Sequence, residues 1–380
     1  MKSRSQAPVF TALAALAALT ALAALATLAV VLFLATGCPK RAANTATAAV
    51  PPDARATTAA TFTNPIGIGA DPWVIQHDGK YYWTLTDTNR GVAIWCSDTP
   101  ASPGKRKIVW RAPATGPYSN DIWAPELHFL DGRWYIYVAA SAGKNATHRM
   151  IVLESATDDP LGDYTLKAEL YTGDNIDTKA RSRWAVDGTV FARNGKLYFI
   201  WSGWFNTHSN QRLYIAPMSN PWTISGNRVR ICSNKDYPWE HYSDSLERPS
   251  LNAAPQILQH AGRTFIIYSA SGSWQATYKL GLLELIGDDP LAPNAWRKNP
   301  RPVFAPTPTT FGIGHASFVK SPDGKQDWII YHVKEERKDG WSRLIFAQPF
   351  RWTKDGFPDF GKPVARDQPL PLPSTNAPRR

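Results

Sequence analysis

The amino-acid sequence predicts an all-β protein built from repeated antiparallel sheets, and three observations support this. Aromatic residues make up 12% of the 380 residues, with 16 Trp, 14 Tyr and 15 Phe. The 31 Pro and 25 Gly would interrupt long helices but suit short strands joined by turns. Finally, one strand–turn–strand pattern recurs along the chain, which is the signature of a repeat architecture.

Each copy of the repeat is an apolar strand, a turn centred on glycine, a basic or polar residue and an aromatic-rich strand. Asp-Gly and Asn-Gly turns between alternating apolar residues are strong hairpin signals, because such turns need positive φ. The copies follow one another at roughly 60 residues, which suits a four-stranded blade with its loops. The turn glycines are Gly79, Gly132, Gly195, Gly262 and Gly324. Five copies in phase favour a five-bladed β-propeller over residues 61–365, whereas a β-sandwich would not explain them.

The N-terminus has the layout of an export signal. Lys2 and Arg4 precede a long Ala/Leu-rich stretch that ends in small residues before Cys38. We interpret residues 1–37 as a lipoprotein-type signal peptide and Cys38 as the acylated mature N-terminus; an uncleaved anchor helix is the alternative, since the stretch could span a bilayer. Residues 39–60 read as a flexible Ala/Thr/Pro linker and residues 366–380 as a Pro-rich tail. Either reading predicts an exported, membrane-tethered protein, held in the membrane only through this anchor.

Charge and cysteine content exclude some classes of protein. The formal net charge is +11, but the Lys and Arg residues form no run longer than three residues, so a solvated basic surface is favoured over a nucleic-acid site. Three cysteines are too few for a disulfide scaffold or a Cys-only zinc site. If Cys38 is acylated, Cys96 and Cys232 remain, and we expect both to be buried free thiols.

The start of each repeat distinguishes the copies from one another. Eight residues before the turn glycine, the first and third copies have Asp71 and Asp187, whereas the second and fourth have alanine; in the fifth, His315 lies nine residues before Gly324. Propeller blades aim these positions at the central axis, so the carboxylates should converge there. Paired carboxylates in an aromatic-rich funnel suit glycoside hydrolysis, in which one group acts as acid and another activates water.

Tryptophans near these positions are candidates for stacking on sugar rings. They are Trp73, Trp123, Trp184 and Trp204. Packing in the protein core is the alternative for each of them.

The chain resembles glycoside hydrolase family 43, and the motifs occur in the expected order in successive repeats. They include GADPWV at 69–74, IWAPELHF at 122–129, WAVDGTVF at 184–191, YSASGSW at 268–274 and GHASF at 314–318. The sequences of these motifs are most similar to those of the exo-acting α-L-arabinofuranosidases. The resemblance implies inverting hydrolysis with Asp71 as general base and Asp187 as the carboxylate that tunes and orients the acid. It also implies that His315 matches the axial histidine, which in many relatives lies beside a calcium ion or an ordered water; no cofactor is required.

The chain departs from the family at the general acid. The resemblance implies a Glu-Gly-Pro motif at the start of the fourth blade, but this chain has Ala253, Ala254 and Pro255 there. Alanine cannot donate a proton, and general acid assistance is typically worth about 10²–10⁴-fold. Glu247, in the loop before this strand, is the candidate substitute, and Glu240 and Glu126 are further candidates. Glu126 is more in keeping with a packing role.

The predicted function is removal of terminal α-L-arabinofuranosyl residues from arabinan or arabinoxylan of plant cell walls. A β-xylosidase of the same family is the alternative enzyme. The other alternative is a catalytically impaired propeller that binds oligosaccharide, because Ala253 occupies the acid's position.

Overall fold

The computed structural model describes residues 60–87, 90–205, 211–242 and 248–376. Thr57–Arg380 forms one compact unit. The predicted signal peptide, Cys38 and all of the linker except Ala60 lie outside the described residues. Within the described ranges there is no α-helix, only two short 3₁₀ turns at Asn145–Thr147 and Pro238–Glu240. None of this part of the chain forms a helix with the length and apolarity needed to cross a membrane. The fold is therefore all-β, as predicted.

The strands form antiparallel sheets in chain order. The opening strands are β1 (Thr61–Thr63) and β2 (Gly67–Ile68). The first four-stranded sheet contains β3 (Ala70–His77), β4 (Lys80–Thr86), β5 (Gly91–Ser97) and β6 (Lys105–Arg111). The second contains β7 (Asn120–Leu130), β8 (Arg133–Ser141), β9 (Arg149–Ser155) and β10 (Tyr164–Glu169).

A nine-stranded sheet follows, made of two antiparallel runs. The first run is β11 (Ala185–Arg193), β12 (Lys196–Trp204), β13 (Gln211–Asn220), β14 (Thr223–Ile224) and β15 (Val229–Cys232). The second is β16 (Leu251–His260), β17 (Arg263–Ser271), β18 (Lys279–Leu285) and β19 (Trp296–Lys298). A single parallel pair, Gln211 with Leu251, joins the two runs.

The last large sheet combines the two ends of the chain. It contains β20 (Gly314–Lys320), β21 (Asp327–Lys334), β22 (Arg343–Trp352) and β23 (Pro358–Asp359), and β2 pairs with the edge of β22. The strand β24 (Pro369–Pro371) pairs with β1. Part of the predicted Pro-rich tail therefore forms a strand against the start of the domain.

The predicted hairpins are present, and their turns explain the repeat. Four of them have two-residue loops in which both residues have positive φ, the conformation that suits the twist of a hairpin. These loops are Asp78–Gly79, Asp131–Gly132, Asn194–Gly195 and Ala261–Gly262. The fifth hairpin is longer, because Lys320 pairs with Asp327 across a six-residue loop. The extra length means that His315, not Ala316, is the counterpart of Asp71, so a count of eight back from Gly324 assigns the wrong residue.

Apolar cores lie between successive sheets. Aromatic and branched aliphatic side chains on facing strands fill each one, so that Trp83, Trp134, Trp201 and Trp328 are almost completely buried. One core joins the first sheet to the last: Val74 and Trp83 share it with Ile330 and Ile345. Of the two cysteines, Cys232 is buried as predicted, whereas Cys96 is half-buried; both are free thiols.

Candidate active site

The first strand of each repeat contains a β-bulge whose central residue has positive φ. The register shifts at this point in all five strands. A positive φ is uncommon for residues other than glycine, and bulges re-aim side chains. The bulge residues are Asp71 (φ 57°), Ala124 (φ 46°), Asp187 (φ 54°), Ala254 (φ 49°) and His315 (φ 49°).

Four of the five bulge N–H groups donate to a side chain of a neighbouring repeat; for the first repeat, that neighbour is the last one. Asp71 donates to His332 Nδ1 at 3.2 Å and Ala124 donates to Thr86 Oγ1 at 2.7 Å. Ala254 donates to Asp187 Oδ2 at 3.2 Å, and His315 donates to Ser269 Oγ at 2.8 Å. These bonds satisfy the backbone groups that the bulges remove from the sheets and fix each bulge against its neighbour.

Asp71 lies at the centre of a charged cluster. Its Oδ1 is 3.1 Å from Arg343 Nη1 and 3.2 Å from His315 Nδ1, and Thr86 Oγ1 donates to its Oδ2 at 2.8 Å. Burial alone would raise the pKa of Asp71, but Arg343 and the two histidines outweigh it and hold the pKa well below the usual range. The side chain keeps 14% exposure, so an ionised carboxylate is accessible here.

The pKa values of the two histidines beside Asp71 are shifted in opposite directions. Burial lowers the pKa of His332 to about 4, so its ring is neutral and its Nδ1 can accept the Asp71 N–H. Burial also disfavours the cation of His315, but the Asp71 carboxylate outweighs it and raises the pKa of His315. Asp71 therefore contacts one neutral imidazole, that of His332, and one whose protonated form it stabilises, that of His315.

Asp187 has the opposite electrostatic environment. Burial raises its pKa to about 6; His315 opposes the shift, and the negative charge of Asp71 adds to it. Its Oδ2 accepts a hydrogen bond from the Ala254 N–H. Two carboxyl groups are thus brought together with one held ionised and the other able to keep its proton near pH 6, which is a typical arrangement for acid–base chemistry.

Ala253 lies directly before the bulge of β16, in apolar surroundings. It is 3% exposed and packs in a cluster with Leu251, Trp274 and Tyr278. The ring of Tyr278 stacks at 5.9 Å on His332, so the cluster adjoins the Asp71 site. The position at which the family resemblance implies an acid is therefore beside the carboxylates, but it carries no ionisable group.

The other candidate acids, Glu126 and Glu240, have buried environments in which their carboxylates already have partners. Glu126 is 1% exposed, lies 2.9 Å from His128 Nε2 and accepts a hydrogen bond from Gln256, so its oxygens are engaged between sheets. Glu240 is buried against Lys298, whose Nζ is 2.7 Å away. The side chains of Glu126 and Glu240 are therefore both held by contacts inside the protein. Glu247 lies outside the described residues.

The predicted tryptophans occupy different environments. Trp73 donates from its indole N–H to the Leu127 carbonyl and stacks on His128 at 4.6 Å, between the first two sheets. Trp123 is half-buried and stacks on His148 at 3.9 Å. Trp204 is half-buried and stacks at 4.7 Å on the buried Trp184. Trp73, Trp123 and Trp204 are all half-buried and keep some accessible surface, and Trp73 is in addition held by its hydrogen bond to Leu127.

Sequence reasoning missed an aromatic group beside Asp71. Trp341 is 64% exposed, its ring meets that of Trp274 at 6.0 Å, and Trp274 in turn meets Tyr242 at 6.2 Å. The guanidinium of Arg343, which binds Asp71, lies 5.3 Å from the Trp341 ring. Only the YSASGSW motif, which ends at Trp274, hinted at this group, because Trp341 and Arg343 lie in a segment with no distinctive pattern.

The surroundings of His315 do not fit the calcium ion considered above. Calcium takes six to eight oxygen ligands. Near His315 the groups are imidazoles, a guanidinium, the Asp71 carboxylate, which is already paired with Arg343, and the Asp187 carboxyl. In the described ranges no group of three or more His, Cys, Asp or Glu residues could hold a metal ion.

Comparisons with known proteins identify the family of this chain. Residues 62–358 match Glycosyl hydrolases family 43. The extracellular exo-α-(1→5)-L-arabinofuranosidase of Streptomyces avermitilis is 35% identical over 345 residues, 86% of this chain and 69% of that protein. α-L-Arabinofuranosidase 43 of Humicola insolens is 36% identical over 80% of this chain and 63% of its own length. The crystal structure of the α-L-arabinofuranosidase from Lactobacillus brevis is 32% identical and superposes with a TM-score of 0.72 over 81% of this chain and 98% of that one. The family inferred from the motifs is confirmed: the chain belongs to glycosyl hydrolase family 43.

Proposed function

We propose that the protein is an inverting α-L-arabinofuranosidase that removes terminal arabinofuranosyl residues from plant cell-wall polysaccharides. The observation that carries this proposal is that the pKa of Asp71 is lowered and the pKa of Asp187 is raised, although the two residues lie on equivalent bulges of two repeats. The relatives named as arabinofuranosidases support the choice of sugar. Glycoside hydrolysis with two carboxyl groups needs no cofactor.

We infer that the sheets form five blades around one axis. In this interpretation the nine-stranded sheet is two blades that share one parallel pair. Five apolar cores support it, each between consecutive blades, with the fifth between the last blade and the first. The strand β2 would then close the ring by completing the last blade.

In the proposed mechanism Asp71 is the base. Its carboxylate, ionised at all physiological pH values, accepts a proton from the water that attacks the anomeric carbon. Arg343, His315 and Thr86 fix the carboxylate so that it does not rotate away. The low pKa limits its strength as a base, and positioning of the water compensates by making the step effectively unimolecular.

Asp187 orients the sugar and influences the acid. With a pKa near 6, it holds a proton in weakly acidic solution and adds negative charge above that, and a negative neighbour raises the pKa of an adjacent carboxylic acid. We propose Glu247 as that acid, donating a proton to the leaving oxygen from the loop before β16. Trp123, Trp204 and the group of Tyr242, Trp274 and Trp341 offer rings on which sugars can stack.

A second candidate function follows from Ala253. The cluster of buried residues around it, Leu251, Ala254, Trp274 and Tyr278, contains no carboxylic acid. Without an acid, the pocket would bind arabinosides and hydrolyse only those whose leaving group departs without protonation. In that case the protein would capture oligosaccharide and turn it over poorly.

The protein is proposed to be exported and tethered through acylated Cys38. The support is the signal-like N-terminus together with the extracellular relative of Streptomyces avermitilis.

The test of the enzymatic proposal uses the full chain with nitrophenyl α-L-arabinofuranoside, nitrophenyl β-D-xylopyranoside and arabino-oligosaccharides. We expect hydrolysis of both arabinosides and little of the xyloside, and proton NMR should show the inverted anomer first. Hydrolysis of the nitrophenyl arabinoside alone would support the impaired binding protein, and preference for the xyloside would overturn the choice of sugar.

Asp71→Asn provides the matching variant. We expect kcat to fall by at least about 10²-fold. The variant will also lose stability, because Arg343 is 11% exposed and keeps a charge with no carboxylate. Activity must therefore be measured well below the unfolding temperature, with the folded fraction determined by circular dichroism. An Asn variant with full activity would remove Asp71 from the mechanism.

A further inference from the structure

An arginine-lined cavity of about 510 Å³ lies beside Trp204. We propose that it binds the carboxylate of a uronic acid residue carried by the polysaccharide on which the enzyme acts. The proposal rests on the proposed function for the identity of the polysaccharide. The binding of a carboxylate in the cavity does not depend on that function. The cavity is lined by Asp174, Arg183, Phe205, Tyr214, Arg228 and Arg230.

The cavity has an excess of positive charge. Its three arginines face one carboxylate, Asp174, whose two oxygens accept from Arg183 and Arg228 at 2.8 Å each. Burial opposes ionisation of Asp174, but Arg228 and Arg183 outweigh it and lower its pKa. Asp174 is therefore an internal counter-ion that holds two guanidinium groups in place and leaves the third uncompensated.

Arg230 is the group available to a ligand. It is exposed, and among the described residues no carboxylate lies within salt-bridge distance of it. Arg228, in contrast, is fully committed: it binds Asp174 through Nε and Nη2 and the Trp204 carbonyl through Nη1. A guanidinium presents a planar fork of N–H donors that matches a carboxylate, so Arg230 can bind one bidentately.

The remaining walls suit a sugar ring. Phe205 is a 52% exposed aromatic ring at the cavity, available for contact with the C–H face of a pyranose. Tyr214 also lines the cavity, and its buried hydroxyl has no hydrogen-bond partner in the described part of the protein. The volume lies within the range of about 300–1,000 Å³ typical of small-molecule sites. A uronic acid residue combines the anion and the apolar ring face that these walls require.

A chain of side-chain contacts through Trp204 links the wall of the cavity to the candidate active site. Arg228 binds the Trp204 carbonyl at 3.1 Å, and Trp204 stacks on Trp184, three residues before Asp187. A polysaccharide chain that places an arabinosyl branch at Asp71 and Asp187 could therefore place a neighbouring charged branch at Arg230. The arrangement would favour polysaccharides that carry acidic branches over neutral ones.

Calorimetry can test this without any hydrolysis. The ligands are a glucuronic acid-substituted xylo-oligosaccharide without arabinose, its neutral counterpart of equal length, and free glucuronate. We expect the substituted oligosaccharide to bind at least about tenfold more tightly than the neutral one at low ionic strength, with the difference shrinking as salt is added. Equal binding of the charged and neutral oligosaccharides would overturn the proposal. If free glucuronate binds as tightly as the oligosaccharide, the site recognises a small anion and the polysaccharide source is wrong.

Arg230→Gln should abolish this preference, and Arg230→Lys should retain part of it. Arg351→Gln is the matched control, because it removes the same charge from an exposed arginine of β22. Both glutamine variants should hydrolyse nitrophenyl arabinofuranoside like the wild type. If Arg351→Gln weakens uronate binding as much as Arg230→Gln does, net charge is responsible and the cavity is not the site. Failure of the arabinosidase assay with uronate binding intact would refute only the proposed function.

Discussion

Replacing Asp187 with asparagine should stabilise the protein in mildly alkaline solution. In the folded protein the pKa of Asp187 is raised from 3.8 to about 6, first by burial and then by the charge of Asp71. The folded state therefore holds this proton more tightly than the unfolded chain does. The stability that the protonated form supplies is complete below pH 3.8 and is lost as the pH rises through 6.

The expected size of this effect follows from the shift. About two pH units at ~1.36 kcal/mol per unit give about 3 kcal/mol of stability lost by the wild type between pH 4 and pH 8. Asparagine does not titrate, and its side-chain oxygen can still accept the Ala254 N–H. Relative to the wild type, the variant should therefore gain up to about 3 kcal/mol over this range, while its activity falls.

Urea unfolding of both proteins at pH 4, 6 and 8 measures the difference. Asp163→Asn is the control, because Asp163 is exposed and its replacement removes a carboxylate without disturbing a buried site. A stability difference between the Asp187 variant and the wild type that stays constant from pH 4 to pH 8 would refute the raised pKa.

Three further predictions concern the acid, the aromatic group and the anchor. If no acid is present, Ala253→Glu should raise activity on arabino-oligosaccharides by about 10²-fold or more and change nitrophenyl arabinoside hydrolysis little, because nitrophenolate departs without protonation. If Glu247 is the acid, Ala253→Glu should help little and Glu247→Gln should damage only natural substrates; a Glu247→Gln enzyme equal to the wild type on both excludes it. Trp341→Ala should raise KM for arabino-oligosaccharides several-fold with little change in kcat, and an unchanged KM would show that the ring does not contact sugar. Labelled palmitate should enter the wild type but not Cys38→Ser, and an unlabelled wild type would favour the uncleaved anchor.

The sequence predicted the parts of the site that depend on local pattern. Asp-Gly and Asn-Gly turns fix the phase of the first three hairpins and an Ala-Gly turn that of the fourth, and the phase identifies Asp71 and Asp187 as equivalent. The same reasoning misaligned the fifth repeat by one residue, because its turn is longer and the backbone bulge leaves no mark in the sequence.

The partners of Asp71 could not be predicted in this way. Arg343 is 272 positions from Asp71 and His332 is 261 positions away. A comparison of the five repeats does not single out either residue. Both reach Asp71 only because the last sheet packs against the first. Charge-pairing across such separations is decided by the tertiary fold.

The bulges of β7 and β16 have a consequence for how new activities could arise on this scaffold. Ala124 and Ala254 have the same backbone conformation as Asp71 and Asp187 but carry only a methyl group. Aspartate and asparagine adopt positive φ more readily than alanine does. A single substitution at either alanine could therefore add a polar group without straining the backbone of the bulge. Two of the five bulge positions are in this sense vacant, and the domain could gain a different acid–base pair or sugar contact by changing one codon.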